Sequence, residues 1–311
     1  MTEHVPRGVI LDIAAQGETV IAVGERGHIL VSNDGGDHWA VMPSPVEQTL
    51  TAVYMLDQQH AWAVGHDGII LASHDGGEHW ELQYSHRQYA KQNPDEAPGF
   101  GPLMSVFFFN TEDGIAVGAY GRMLLTHDGG THWFDAAERL NNIDEYRLNA
   151  VISAGPGRLV IAAEAGLAFI SQDHGESWVQ SEMSSDGSLF GAWHDAGRDR
   201  LFLFGLQGLL YRSDDQGNSW HRIDTGLTST LYKAFSGKET DVYIVGSDGV
   251  FLKMRGPDDV PSLFRYGDRR TTTSGLMTKD GFLLTGQVGV TTLPSETRFG
   301  VLTERGTGGR E

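Results

Sequence analysis

Two short segments of this chain are rich enough in side-chain oxygens to bind a hard cation. Residues 33–37 read Asn-Asp-Gly-Gly-Asp, and residues 214–218 read Asp-Asp-Gln-Gly-Asn. Calcium loops combine clustered oxygens of this kind with a bidentate glutamate at a fixed distance. Neither segment carries that glutamate, so no calcium site is predicted at either one.

Three histidines are the next candidates, because imidazole binds zinc and transfers protons. His38, His79 and His132 occupy the same position in three copies of a repeated segment. Zinc needs ligands that converge on one point, whereas a repeat distributes its members around the fold. The sequence therefore predicts no metal site and no cofactor.

The repeated segment is an octapeptide, Ser/Thr-x-Asp-x-Gly-x-x-Trp, which occurs five times. Its hydroxyl and carboxylate can accept hydrogen bonds from backbone N–H groups, its glycine permits a positive φ, and its tryptophan can pack back over the turn. We expect a structural turn with no catalytic residue in each copy. The defining residues are Ser32, Asp34, Gly36, Trp39, Ser73, Asp75, Gly77, Trp80, Thr126, Asp128, Gly130, Trp133, Ser171, Asp173, Gly175, Trp178, Ser213, Asp215, Gly217 and Trp220.

A Gly-x-x-Gly turn precedes each octapeptide, with Ala163 in place of the first glycine in the fourth copy, and the turn recurs twice after the last octapeptide. Its second glycine recurs at Gly27, Gly68, Gly121, Gly166, Gly208, Gly249 and Gly289. A period of about 40 residues is the length of one four-stranded propeller blade. In the second unit, residues 50–56, 61–64, 69–72 and 80–82 read as four strands. The sequence predicts an all-β fold, a seven-bladed β-propeller with four-stranded antiparallel blades, Asp-box turns and almost no helix.

The repeat covers the chain as one domain, residues 1–303, followed by a flexible tail at residues 304–311. About a dozen extra residues separate the second and third units, and we expect a loop insertion at residues 84–101. A smaller excess lies at residues 135–146, where residues 136–140 are predicted to form a helical turn. The last unit lacks a clear fourth strand, which residues 298–302 or the segment before Arg7 must supply.

Composition limits the partners. The chain has 311 residues, no cysteine and a formal net charge of −18, which opposes binding to nucleic acid or to an anionic membrane surface. No apolar stretch approaches the roughly 20 residues of a membrane helix, and the amino terminus lacks the layout of a secretory signal. We expect no membrane insertion, and a cytoplasmic protein if this is the native start.

The octapeptide resembles the Asp-box of bacterial neuraminidase repeats, which raises glycoside hydrolysis as an activity. By that resemblance, a sialidase would need three converging arginines, a tyrosine activated by a glutamate and an acidic proton donor. The arginines here are irregularly placed, and residues 5–7 match the Arg-Ile-Pro opening of sialidases poorly. We therefore predict a protein that is not an enzyme. A sialidase-like glycosidase or a small-ligand-binding propeller is the alternative.

A longer pattern encloses the octapeptide. Residues 22–39 and 63–80 both read Ala-Val-Gly-x-x-Gly-x-Ile-Leu-x-Ser-x-Asp-Gly-Gly-x-x-Trp. This pattern resembles the photosystem II stability and assembly factor family, in its non-photosynthetic bacterial branch. The resemblance implies a propeller that binds a protein partner, a membrane protein or its assembly intermediate. It further implies a periplasmic accessory or assembly factor, found beside exporters of the resistance-nodulation-division class.

Strand order predicts where that partner binds. If the first strand of each blade lines the channel, the octapeptides lie on one face, here called the box face. The Gly-x-x-Gly turns and the loops before each first strand lie on the other, here called the turn face. The turn face gathers the variable residues, so we expect binding there. The candidate residues are Arg26, His66, Tyr120, Tyr146, Arg147, Gln207, Arg269 and Arg270.

Overall fold

A computed structural model describes residues 8–92, 101–254, 261–265, 269–294 and 300–301. These residues form seven antiparallel sheets in chain order, and neighbouring sheets pack against each other around a ring. The predicted seven-bladed β-propeller is confirmed. Among the described residues, no helix combines the length and the apolar character that a membrane span needs.

The first four blades have four strands each. The first contains β1 (Ile10–Gln16), β2 (Thr19–Gly24), β3 (Ile29–Ser32) and β4 (Ala40–Met42), and the second contains β5 (Leu50–Met55), β6 (Ala61–Gly65), β7 (Ile70–Ser73) and β8 (Glu81–Tyr84). The third contains β9 (Leu103–Phe108), β10 (Gly114–Gly118), β11 (Met123–Thr126) and β12 (Phe134–Asp135), and the fourth contains β13 (Leu148–Ser153), β14 (Leu159–Ala163), β15 (Leu167–Ser171) and β16 (Val179–Glu182).

The fifth blade also has four strands, whereas the sixth and seventh depart from that number. The fifth contains β17 (Leu189–Asp195), β18 (Arg200–Gly205), β19 (Leu210–Ser213) and β20 (His221–Arg222). The sixth contains β21 (Leu231–Ser236), β22 (Val242–Gly246), β23 (Val250–Met254) and β24 (Ser262–Arg265), and the seventh contains β25 (Thr272–Met277), β26 (Gly281–Gly286) and β27 (Gly289–Pro294). The last strand, β28 (Gly300–Val301), pairs with β24 and not with β27.

The pairing of β28 corrects one expectation. Residues 300–301 do not complete the seventh blade, because they pair with the outer edge of the sixth, where β24 offers backbone groups that no other described strand covers. The seventh blade therefore has three strands within the described residues. The alternative, the segment before Arg7, lies outside them.

The insertion at residues 84–101 contains a short helix, α1 (His86–Gln92), where the sequence predicted a loop. Its sequence, HRQYAKQ, has no glycine or proline and is rich in helix formers. His86 is buried and lies against Gly68, so the helix begins on the turn face. Residues 93–100 of the insertion lie outside the described residues. The predicted helical turn forms as a 3-10 turn at Ala137–Leu140.

The core lies between blades. Ile21 and Val31 of the first blade, for example, pack with Val53 and Leu71 of the second. Strands two and three are buried on both faces, and they read as continuous apolar runs for that reason. The first strands of successive blades contact each other, including β25 with β1, so they line the channel and the ring is closed.

A bulge interrupts the first strand of every blade at its second residue. In the first blade Ile10 pairs with Gly24 and Asp12 with Val23, so Leu11 is the extra residue. The bulged residues in chain order are Leu11, Thr51, Met104, Asn149, Phe190, Tyr232 and Thr273. A bulge redirects its side chain. These residues all line one cavity, at the turn-face end of the channel.

The first glycine of the Gly-x-x-Gly turn is required by a close approach. A Cβ atom on Gly65 would lie 2.2 Å from the carbonyl oxygen of Thr49, the residue before β5. The N–H of His66 donates to that same oxygen at 2.9 Å. The contact recurs in the other blades, except that Ala163 stands in the fourth.

We expect Gly65→Ala to lower the free energy of unfolding by about 1–3 kcal/mol, because the added methyl group must displace backbone atoms. Ala163→Gly is the matched control, since the fourth blade already accommodates a Cβ atom, and it should cost only about 0.5–1 kcal/mol. Urea denaturation followed by tryptophan fluorescence measures both. A smaller loss for Gly65→Ala than for Ala163→Gly would contradict the steric argument.

Candidate functional site

The octapeptides form turns with the same hydroxyl and carboxylate hydrogen bonds between the third and fourth strands of the first five blades. In the first, the Ser32 hydroxyl donates to Asp34 Oδ1 at 2.7 Å and accepts the Gly36 N–H at 2.8 Å. The Asp34 carboxylate accepts the His38 N–H at 2.9 Å, and Trp39 Nε1 donates to the Gly36 carbonyl at 2.9 Å. The side chains of the motif are thus occupied by the turn itself.

The histidines of the motif are tied to their own turns. Nδ1 of His38, His79 and His132 lies 2.7 Å from the Asp carboxylate of the same octapeptide. In the fourth and fifth blades the hydroxyls of Ser177 and Ser219 replace them. A histidine can therefore be exchanged for a serine without loss of the turn, which indicates a structural role. The structure places the three histidines in separate blades.

Hydrogen bonding lowers the pKa of every Asp-box carboxyl. The backbone N–H of His132 is the main cause for Asp128, whose pKa falls to about 2. The Ser219 hydroxyl is the main cause for Asp215, whose pKa also falls to about 2. Asp34, Asp75 and Asp173 shift in the same direction. These groups remain ionised acceptors at neutral pH.

The box face is further fixed by the loops between first and second strands. The N–H groups of Gly35, Gly76 and Gly129 donate at 2.9 Å to the carbonyls of Glu18, Gln59 and Glu112, respectively. Each octapeptide is therefore bonded to the adjacent hairpin of its own blade. This face presents a repeated backbone arrangement.

One cluster on the box face has the composition of a cation site. Ligand atoms of Asp75, Glu78 and His79 lie within 4.8 Å of one another, and all three residues are exposed. The Asp75 carboxylate already accepts hydrogen bonds from Ser73 and His79. The turn thus accounts for the arrangement of these groups.

The turn face combines one backbone arrangement with unlike side chains. The residue before the second glycine has a positive φ of 53–59° in six turns, although it is not glycine. These residues are Arg26 (φ 57), Asp67 (φ 59), Tyr120 (φ 57), Ala165 (φ 56), Gln207 (φ 53) and Asp248 (φ 59). The left-handed conformation costs an ordinary residue roughly 1–2 kcal/mol. The neighbouring hydrogen bonds hold each turn in place and leave its side chain free to vary.

The predicted partner-binding residues lie on this face. Arg26, His66, Tyr120 and Gln207 are exposed on four of the turns. Arg269 and Arg270 are exposed in the loop before β25, whereas Tyr146 and Arg147 are half-buried in the loop before β13. The residues thus share a face but are distributed over six blades.

Arg147 differs from the others because its charge is already paired. Its Nε lies 3.1 Å from Glu164 Oε1, its Nη2 donates to the same oxygen, and its backbone N–H donates to Glu164 Oε2 at 3.2 Å. Glu164 occupies the Gly-x-x-Gly turn of the same blade. Arg147 therefore stabilises the turn face locally.

Sequence reasoning missed two groups at the channel mouth. Asp12 is 3% exposed, and the Nζ atom of Lys233 lies 3.0 Å from its Oδ1 atom. Asp12 Oδ2 also accepts the N–H of Val53. The pair links the sixth blade to the first across the cavity, which measures about 290 Å³. A charged residue at the third position of an otherwise apolar first strand is the signal that could have revealed it.

Comparisons with known proteins support the resemblance. Residues 4–89 match the family described as "Photosynthesis system II assembly factor YCF48". These residues correspond to the first two blades. The match confirms the expected resemblance to the photosystem II assembly factor family. No curated protein matches the chain.

Solved structures show the same fold. The chain is similar to "YCF48 bound to D1 peptide", with a TM-score of 0.69 and 16% identity over 92% of this chain and 93% of that one. YCF48 from Cyanidioschyzon merolae gives a TM-score of 0.69 and 16% identity over 92% and 95%. Virginiamycin B lyase from Staphylococcus aureus gives 0.75 and 11% over 94% and 98%.

The tryptophans of the octapeptides should stabilise the fold. Trp80 and Trp133 are 9% and 7% exposed, so replacing either by alanine should cost about 3–5 kcal/mol, the usual range for a buried aromatic. Thermal melts of Trp80→Ala and Trp133→Ala measure the loss. A melting temperature equal to that of the wild type in both variants would show that these rings contribute nothing.

Acid should weaken the box turns. Because the folded-state pKa of each Asp-box carboxyl lies below the unfolded value of about 3.9, its stabilisation is complete above that pH and is lost as the pH falls towards about 2. Asp128→Asn should show a smaller loss of unfolding free energy between about pH 4 and pH 2 than the wild type. Urea melts at each pH test this, and parallel curves would refute it.

Proposed function

We propose that this protein is a non-catalytic binding propeller that assists the assembly or stability of another protein, and that its client binds the turn face. The observation that carries the proposal is the series of left-handed turns. Six blades hold the same strained backbone, yet they carry Arg, Asp, Tyr, Ala, Gln and Asp at the left-handed position. A conserved turn geometry with unlike side chains is suited to recognition of one particular surface.

The comparisons support protein binding as the activity. The first two blades match an assembly-factor family, and one similar structure is that of YCF48 with a D1 peptide. The proposal takes from these relatives the role of an assembly or stability factor. By the same similarity, the ligand is proposed to be a protein and not a small molecule.

The client is proposed to be a membrane protein or its assembly intermediate. The bacterial branch that the chain resembles suggests an accessory factor of an exporter, which would act in the periplasm. The net charge of −18 supports a protein client over nucleic acid or an anionic lipid surface.

Enzyme activity is the competing reading, since virginiamycin B lyase shares the fold. A glycosidase needs a carboxylic acid with a raised pKa, but the shifted pKa values of described carboxyl groups are lowered, as for Asp113 and Asp199. Burial raises the pKa of Tyr54 to about 12, and its hydroxyl donates to the Phe108 carbonyl. That tyrosine is unsuited to act as a nucleophile.

Charge reversal on the turn face should weaken client capture. Arg26→Glu combined with Arg269→Glu alters two exposed side chains, and it leaves the Arg147–Glu164 pair intact. We expect the proteins that the wild type retains from a native membrane extract to be reduced at least about fivefold, an effect of about 1 kcal/mol. Quantitative mass spectrometry of the eluates measures the change.

Glu78→Lys on the box face is the matched control, because it reverses an exposed charge on the opposite surface. It should capture the same proteins as the wild type, and all variants should melt at the same temperature. Equal capture by the double variant, or cleavage of a sialoside by the purified protein, would overturn the proposed function.

A further inference from the structure

A cleft lies on the turn face where the loop of residues 135–146 passes the turn of the third blade. Its volume is about 440 Å³, and its walls include Tyr120, Asp135, Glu138, Ile143 and Glu145. Tyr120 is one of the left-handed turn residues. This loop is the shorter of the two segments that lengthen the repeat. It is longer than is needed to connect two blades.

The loop is held in one conformation. Asn142 Nδ2 donates to the Tyr146 carbonyl at 2.8 Å, and Asn142 Oδ1 accepts the Tyr146 N–H at 3.1 Å. Ala136 and Leu140 anchor its first half in the core between the third and fourth blades. Binding to this cleft therefore requires little ordering of the protein, which reduces the entropic cost of association.

The rim of the cleft is apolar and exposed. Ile143 is 84% exposed, more than any other large hydrophobic residue that the structure describes, and Tyr120 is 56% exposed. An ordered loop that presents an isoleucine to water forgoes hydrophobic stabilisation. Exposed apolar side chains beside a preformed cavity are characteristic of a binding site.

The walls of the cleft are acidic. Glu138 and Glu145 have no ion-pair partner among the described residues. Asp135 lies 3.6 Å from Nη1 of Arg122, which is 4% exposed beneath the cleft. The exposed charge is therefore negative, on a protein whose net charge is −18. A basic ligand matches this field, whereas an acidic one is repelled.

From these observations we infer that the cleft binds a basic segment of the client, in which lysine or arginine flanks an aromatic or aliphatic side chain. The apolar side chain packs between Tyr120 and Ile143, and the cations pair with Glu138 and Glu145. This inference rests on the proposed function, because it specifies the partner chemistry of the same face.

The test uses a capped, fluorescently labelled peptide with the sequence Lys-Arg-Phe-Arg-Lys and a second peptide with glutamate at every basic position. Fluorescence anisotropy at low and high salt measures binding to the full chain. We expect the basic peptide to bind, more weakly as salt screens the charges. We expect the acidic peptide to show no binding.

Two variants examine the contributions separately. The double variant Glu138→Gln, Glu145→Gln removes the charges without changing side-chain size. It should lower the affinity for the basic peptide about tenfold and make that affinity less dependent on salt. Ile143→Ser should weaken it about fivefold. The matched controls lie on β16, where Val179 is 70% exposed and Glu182 is also exposed. Val179→Ser and Glu182→Gln should bind as the wild type does.

Equal binding of both peptides, or wild-type affinity in the Glu138→Gln, Glu145→Gln variant, would overturn the inference. Its failure is distinguishable from failure of the proposed function. If the basic peptide does not bind but client capture still depends on Arg26 and Arg269, only the cleft assignment fails. If the peptide binds as expected but client capture does not depend on Arg26 and Arg269, the proposed function fails, and the cleft remains a binding site for basic peptides without an assigned client.

Discussion

The architecture depends on one backbone contact that recurs around the ring. The carbonyl oxygen of the residue before the innermost strand lies against the first glycine of the Gly-x-x-Gly turn and accepts the N–H that follows that glycine. In the fifth blade this is the Ser188 carbonyl, beside Gly205 and bonded to the Leu206 N–H. The contact joins the inner strand to the hairpin of strands two and three. It therefore fixes the position of the Gly-x-x-Gly turn relative to the inner strand of its blade.

That contact explains how the turn face tolerates strain. A residue such as Gln207 adopts a left-handed conformation because its neighbours on both sides are held by hydrogen bonds. Strain of this size persists only where the surrounding structure determines it. The box face has the opposite character, because its polar side chains, such as Ser213 and Asp215, bond to each other and to the backbone. The box face repeats the same side-chain hydrogen bonds from blade to blade, whereas the polar side chains of the turn face differ between blades and only some of them are paired.

The fold could be predicted from the sequence because it rests on a periodic feature. Glycine spacing and the octapeptide report blade number and strand order directly, and β5 to β8 begin within about two residues of the predicted strands. Helix α1 was missed because its seven residues fall in a polar stretch with no apolar periodicity. The pairing of β28 was missed because the choice between two open sheet edges is a tertiary matter that local sequence does not encode.

The candidate site was less predictable, because side-chain partners come from distant positions. The link between Lys233 and Asp12 joins residues that are 221 positions apart in the chain. The pairing of Arg147 with Glu164 had a usable signal, since the residue before a first strand always adjoins the turn of its own blade. The cleft beside Ile143 had no such sequence signal, because a few extra residues between two repeat units do not show whether the loop they form is ordered.

These pairings alter the charge of the turn face from what its arginines suggest. Arg147 is neutralised by Glu164, and Arg265 lies 2.7 Å from Asp248 on the turn of the sixth blade. Among the exposed charges of this face, Arg26 and Arg269 belong to the first and seventh blades, whereas Glu138 and Glu145 lie in the loop between the third and fourth blades. A propeller with these turns can therefore keep its backbone while the charge of its turn face changes sign. Since the left-handed turn positions accept arginine, aspartate and tyrosine alike, the chemistry of the proposed binding face is set by side chains that the fold does not constrain.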